Sequence, residues 1–284
     1  MKLVSYRQGG RATVGVVVDA GVVDVRRRFV DVGDMTALLG ASAGGLLRGL
    51  VDEAPDHALA DVELLPVVPD PELIVCVGVN YGGHRAETSR NVDRGDDERP
   101  TLFLRTPRSQ VGHGQPLVLP RISSDLDYEG EIAVVIGRSG RHIPADSAWD
   151  HVAGVSCYND ASVRDWQRHS SQWTAGKNFV GTGAFGPWLV TTDELSPERT
   201  MSLTTRVNGE VVQHASTDEM IFSIPELIEY VSAFTPLETG DVIVTGTPGG
   251  VGWKREPPRY LRAGDVVEVE VDAVGTLRNV VVDE

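Results

Sequence analysis

Three observations predict an α+β fold dominated by β-structure. Apolar runs are short and interrupted by glycine: Lys2–Tyr6, Thr13–Val18 and Val22–Asp24 are separated by Gly9-Gly10 and Gly21, the pattern of a meander. Asn208-Gly209 lies between Thr204–Val207 and Glu210–Gln213, and Asn-Gly supplies the two positive-φ positions of a type I′ hairpin. Two stretches carry helical patterning. One runs from Asp34 to about Val51 with Leu38, Leu39, Leu46, Leu47 and Leu50 on its apolar face, and Ala54-Pro55 breaks it. The other opens at Ser223-Ile224-Pro225-Glu226 and reaches about Phe234, with Leu227, Ile228 and Val231 buried.

The prolines Pro66, Pro69 and Pro71 form a stiff extended connector and mark a boundary. Residues 1–66 are expected to form a small N-terminal β/α domain and residues 67–284 the main domain, with room in the chain for a sizeable core. A formal charge of −15 repels phosphate backbones and anionic lipid, so neither nucleic acid nor a membrane is an expected partner. Cys76 and Cys157 both sit in apolar, strand-like surroundings, which indicates core residues in a reducing compartment rather than a disulfide framework. The stretch Met1–Arg7 lacks the apolar region of a signal peptide and no later run is long enough to span a bilayer, so a cytoplasmic location is expected.

Within the main domain, Leu73–Val79 is a continuous apolar run and therefore a buried strand, and it empties into Asn80–Glu87. If that loop turns helical at Gly83, His84 and Glu87 share a face; the pair is then either a general-base dyad or an ordinary surface pair. The charged connection at 88–100 has the composition of a loop or lid. Thr101–Arg105 follows as a strand, and Arg105 is either a solvated strand end or a positive group offered to an anionic ligand.

The stretch Asp125–Glu131 leads into Ile132–Ile136. On one continuous strand Glu129 and Glu131 would point the same way, with Asp127 beside them. Such carboxylates need a cation or a proton if buried, and the absence of neighbouring His or Cys favours Mg²⁺ or Mn²⁺ over zinc. The alternative is a solvent-facing acidic edge. Asp146–His151 is expected as a helical turn and Val152–Cys157 as a strand delivering Asp160, which would complete a facial carboxylate set or simply cap the next short helix. Lys177 is a surface lysine or a cation stabilising developing negative charge. The glycine-rich loop Gly246–Gly252 lacks the ending of a phosphate-binding loop; its N–H groups and the Thr247 hydroxyl either hold a carboxylate or merely connect strands.

Gly78-Val79-Asn80-Tyr81 with His84 and Glu87, Asp127–Glu131, Asn159-Asp160, Arg164-Asp165 with Gln167, Lys177, and Thr245–Gly252 together resemble the fumarylacetoacetate hydrolase family, in the family's order. The resemblance implies a catalytic domain of the mixed β-sandwich roll kind, assembled as a homodimer. It implies Glu129, Glu131 and Asp160 as ligands of Mg²⁺ or Mn²⁺, His84 and Glu87 as a water-activating dyad, and Lys177 as the active-site lysine. Gln167, Gly246 and Thr247 would bind substrate, as would Arg105, which stands where many relatives carry Lys and alters the geometry of that charge.

The function this implies is cleavage of the C–C bond of acylpyruvate-type 2,4-dioxo acids, with a small anionic 2-oxo acid as ligand. An oxaloacetate-type decarboxylase or a hydroxymuconate-type isomerase of aromatic catabolism would use the same site. A non-catalytic binding protein is the remaining alternative. Selectivity is expected to reside in 88–100 and 168–176.

Overall fold

The computed structural model describes residues 1–40, 45, 47–88, 98–195 and 200–284. Its centre is the strand Gly130–Ile136, every residue of which is buried. Ile132, Val134 and Ile136 face a core that includes Leu203, Leu227, Ile228 and Val269, whereas Ala133 and Val135 face a second core with Leu3, Met35, Leu38 and Phe185. A strand covered on both faces needs apolar side chains at every position, which explains the unbroken run Ile132–Ile136.

This strand belongs to a large mixed sheet. In spatial order the sheet runs His57–Ala58, Gly21–Asp24, Arg11–Val18, Lys2–Gln8, Gly183–Thr191, Val152–Asp160, Gly130–Ile136, Val242–Val244, Ile74–Gly78 and Thr101–Arg105. The expected N-terminal meander is present, and Lys2 and Leu3 pair with Val190 and Leu189, so its strands continue the large sheet. A second sheet orders Glu210–Ser216, Ser202–Val207, Val266–Val271, Gly275–Asp283 and Leu117–Leu119 and packs against the central strand. The hairpin turn has Asn208 at φ 53° and Gly209 at φ 81°, both left-handed as a type I′ turn requires. Helix Ile224–Phe234 is closed at its start by reciprocal Ser223 and Glu226 hydrogen bonds.

Two expectations are corrected. The helix expected over Asp34–Val51 is confined to Met35–Gly40, with a 3₁₀ turn at Arg48–Asp52; residues 41–44 and 46 lie outside the described residues. The acidic stretch is not one strand. Leu126–Asp127 pairs with Ser162–Val163 in a separate two-stranded ribbon, and the main strand begins at Gly130. Asp127 thereby lies off the strand that carries Glu131.

Gly130 allows the two sheets to meet: a Cβ there would fall 1.9 Å from Thr205 Oγ1 and 3.3 Å from Val269 Cγ1. Thr205 Oγ1 is buried with no hydrogen-bond partner among the described residues, so removing it sacrifices no bond. Gly130→Ala is therefore expected to destabilise by about 1–3 kcal/mol through overpacking. Thr205→Ala alone should be close to neutral, and the double variant should recover most of the loss. Urea unfolding of the four proteins checks this, and additive effects in the double variant would contradict it.

Candidate active site

Antiparallel pairing of Gly130–Ile136 with Val152–Asp160 sets Gly130 opposite Asn159 and brings the Asp160 N–H to the Glu129 carbonyl at 2.8 Å. The Glu129 N–H donates to Asn159 Oδ1 at 3.0 Å. These bonds hold the ends of both strands together and bring one carboxylate oxygen from each of Glu129, Glu131 and Asp160 within 4.8 Å of one another. All three residues are buried. The trio is a set of hard oxygen donors of the kind that could hold a divalent metal ion.

Buried cations surround it. Lys177 Nζ donates to Glu129 Oε2 at 2.6 Å and to Asp160 Oδ2 at 2.5 Å. Arg105 Nη1 donates to Asp160 Oδ1 at 2.5 Å. Arg164 Nη2 lies 2.7 Å from Glu129 Oε1 and 2.8 Å from Asp127 Oδ2, so a single guanidinium links both carboxylates.

Glu131 differs: it has no arginine or lysine within ion-pair distance among the described residues, and its Oε2 accepts the Gly246 N–H at 2.6 Å. Burial opposes ionisation of Glu129, yet Arg164 and then Lys177 outweigh it and hold that carboxyl below its usual range. Burial, then Asp160 and Glu129, push the Glu131 carboxyl well above the usual range. Burial works against the Lys177 ammonium, but Asp160 and Glu129 more than offset it.

The His84–Glu87 pair forms as expected on helix Gly82–Glu87, with His84 Nδ1 3.5 Å from Glu87 Oε2. The other Glu87 oxygen, Oε1, accepts the Gly250 N–H at 2.7 Å, which ties the helix to the glycine-rich loop. Close approach is possible because position 249 has no side chain; a Cβ there would meet Glu87 Oε1 at 3.2 Å. Between the preceding strand and this helix, Val79 takes a φ of 60°, rare for a β-branched residue, where the chain turns into buried Asn80. The Asn80 amide donates to the carbonyls of Phe222 and Thr245 and fixes the base of both loops.

A cavity of about 220 Å³ adjoins the trio, lined by His84, Glu129, Glu131, Arg164, Gln167, Arg168, Lys177 and Thr247, with Phe103, Trp173 and Trp253 among its apolar walls. Of the expected residues, Glu87 sits behind His84, and Asp160 lies within the trio without lining the cavity.

Three further residues considered from the sequence lie outside the cavity lining. Asp127 faces Arg164 and accepts the Gly252 and Trp253 N–H groups at 2.9 and 3.1 Å, so it anchors the glycine-rich loop instead of joining the trio. Arg105 does not line the cavity. It is buried behind Asp160, where Ser109, Ala161 and Thr182 accept its remaining hydrogen bonds. Gly246 spends its N–H on Glu131, and its φ of 101° requires glycine. Thr247 does line the cavity, with its hydroxyl donating to the Gly130 carbonyl and accepting from Gln213.

Sequence reasoning gave Arg164 and Gln213 no role of their own and covered Arg168 only as part of the expected selectivity segment 168–176. Arg164 had a signal: it is three residues before Gln167 on a helical turn, and its Nη1 donates to Gln167 Oε1 at 3.0 Å. Gln213 had none, because it reaches the site from the hairpin. Its Oε1 accepts the Gly130 N–H and its Nε2 donates to Thr247 Oγ1 and the Pro248 carbonyl. The expected variable connection at 88–100 falls mostly at 89–97, outside the described residues.

Known proteins share this fold. The family model of the fumarylacetoacetate (FAA) hydrolase C-terminal domain matches residues 73–282. Oxaloacetate tautomerase YisK of Bacillus subtilis (strain 168) is 42% identical over 225 residues, which span 78% of this chain and 74% of that protein. The structure of a fumarylacetoacetate hydrolase from Exiguobacterium antarcticum superposes with a TM-score of 0.84 at 34% identity, covering 100% of both chains. That of maleylpyruvate hydrolase from Sphingobium sp. SYK-6, in complex with manganese(II) and pyruvate, gives 0.82 at 27% identity over 100% of this chain and 99% of that one. The chain is an enzyme of the fumarylacetoacetate hydrolase family.

Proposed function

We propose that the protein is a divalent-metal-dependent tautomerase of oxaloacetate-type 2-oxo acids, interconverting their keto and enol forms. The observation that carries this reading is the cavity. At about 220 Å³ it suits a small acid, and its basic lining of His84, Arg164, Arg168 and Lys177 suits an anion in a chain of net charge −15. The similarity to an oxaloacetate tautomerase over most of the chain supports it.

Glu129, Glu131 and Asp160 would hold Mg²⁺ or Mn²⁺. The fit rests on Glu131, the member of the trio with no cationic partner among the described residues and with a carboxyl kept from ionising by burial and its neighbours. A bound divalent ion would act as a Lewis acid toward the oxygens of a 2-oxo acid and make its C3 protons more acidic.

The chain's own groups then divide the work. Because Gln167 Oε1 accepts from Arg164, the Gln167 NH₂ is the end left to donate to a substrate oxygen. Glu87, pinned by Gly250, orients His84. His84 takes a proton from C3, the C–H electron pair becomes the C2=C3 π bond, and the carbonyl oxygen takes a proton in return; the reverse sequence returns the keto form. Lys177 helps keep Glu129 ionised and, donating also to Asp160, adds positive charge beside the developing oxyanion.

Hydrolysis of acylpyruvates is the second reading, favoured by the same His84–Glu87 pair, which can deprotonate water as readily as carbon. Product analysis separates the two. With Mn²⁺ present, enol-oxaloacetate should relax to the keto form faster than in buffer, while acetylpyruvate remains intact. Cleavage of acetylpyruvate into two acids with no effect on the oxaloacetate equilibrium would establish the hydrolase instead.

Two further outcomes follow from the geometry. His84→Ala should lower kcat roughly 10²- to 10⁴-fold with metal affinity unchanged, read by parallel kinetics and Mn²⁺ titration. Glu131→Gln should lose metal binding yet stabilise the metal-free protein. A carboxyl whose pKa is raised in the fold weakens folding by about 1.4 kcal/mol per pH unit between its unfolded and folded pKa values, so the variant's advantage should grow as the pH rises above about 5. Urea midpoints across that range check the sign, and a constant or shrinking advantage would contradict it.

A further inference from the structure

The basic groups lining the cavity are not equally available. Arg164 is 3% exposed; its Nε and Nη1 donate to Asp127 and Gln167, and its Nη2 makes no hydrogen bond among the described residues but lies in ion-pair contact with Asp127 and Glu129. Lys177 is 1% exposed and committed to Glu129 and Asp160. His84 is engaged with Glu87.

Arg168 is different. Its side chain is 54% exposed, and its nearest carboxylate among the described residues, Asp125, is 4.0 Å away, at the outer limit of an ion pair. It follows directly on the helical turn that carries Gln167, and its backbone N–H donates to the Asp165 carbonyl, which fixes where the side chain starts. The guanidinium stacks over the Trp253 ring at 5.4 Å, with Trp253 also lining the cavity, and Tyr260 is a further hydrogen-bonding neighbour. A planar cation braced on an indole and lightly paired can accept a carboxylate on its fork without first breaking a buried ion pair.

We propose that Arg168, braced on Trp253, binds the far carboxylate of the substrate and thereby makes this a site for 2-oxo diacids in preference to 2-oxo monoacids. The inference rests on the tautomerase reading, in which the 2-oxo acid end lies against the carboxylate trio and Gln167. The remaining carboxylate of an oxaloacetate-type molecule then needs a cation that the trio has not already claimed, and Arg168 is the one the cavity offers among the described residues. The indole keeps the guanidinium extended, so little side-chain freedom is lost on binding.

L-Malate and L-lactate test this as inert ligands that differ by the far carboxylate. Their binding to the Mn²⁺-supplemented protein is to be measured by calorimetry for the wild type, Arg168→Gln and Arg168→Lys. The wild type should bind malate roughly tenfold or more tighter than lactate, the order of a charge-assisted hydrogen bond. Arg168→Gln should bring the ratio close to one through weaker malate binding with lactate unchanged, and Arg168→Lys should restore part of it. A malate preference that survives Arg168→Gln, or a wild type that shows none, would overturn the proposal. An enol-oxaloacetate assay on the wild type reports separately on the tautomerase reading: if it fails while the malate preference still depends on Arg168, the diacid subsite stands and the reaction assignment falls.

Discussion

The Lys177 ammonium, wedged between Glu129 and Asp160 in the interior, is the contact on which the site's architecture depends. Four carboxyl groups, on Asp127, Glu129, Glu131 and Asp160, lie buried among three cationic groups, on Arg105, Arg164 and Lys177. Removing charges from water costs several kcal/mol per ion, and only close, well-directed pairing offsets it. Asp127, Glu129 and Asp160 have that pairing. Glu131 does not, and its reluctance to ionise marks where a further positive charge would be bound most favourably.

The fold supplies this arrangement by ending strands beside one another. Glu129 and Glu131 flank the start of Gly130–Ile136, Asp160 ends the neighbouring strand, and the glycine-rich loop follows Val242–Val244 on the other side. Glycine is needed where backbones must approach. Gly130 admits the second sheet, Gly246 turns its N–H onto Glu131, and Gly249 lets helix Gly82–Glu87 rest on the loop. Gln213 then connects the hairpin of the second sheet to both the acidic strand and Thr247, so packing between the sheets and geometry at the site are one problem. With the acidic trio and His84 on separate, cross-braced elements, the same frame would suit either of the two proposed reactions, tautomerisation or hydrolysis.

Much of the fold was legible in the sequence because strands and caps are local. The type I′ turn at Asn208-Gly209, the helix opening at Ser223 and the buried strand Ile74–Gly78 all follow from residue spacing. The pairing of His84 with Glu87 and the grouping of Glu129, Glu131 and Asp160 were also anticipated, the first from helical spacing and the second from the order of motifs. Long-range choices were not readable. Asp127 looked like part of the acidic face because alternation assumes one continuous strand, and pairing with Ser162–Val163 broke it. Arg105 looked available to a ligand because nothing near it in sequence announces that Asp160, Ser109 and Thr182 will claim it. Gln213 acts from a distant hairpin, across a contact that only the folded chain creates.

Diffraction at the manganese edge from crystals grown with Mn²⁺ and oxalate, an inert stand-in for the 2-oxo acid end of the substrate, tests the central claim most directly. The account predicts one anomalous peak per chain, bounded by carboxylate oxygens of Glu129, Glu131 and Asp160, with oxalate on its open side toward Gln167 and His84. No peak among these carboxylates, or a Lys177 bridge between Glu129 and Asp160 unchanged by Mn²⁺ with oxalate bound elsewhere, would contradict it.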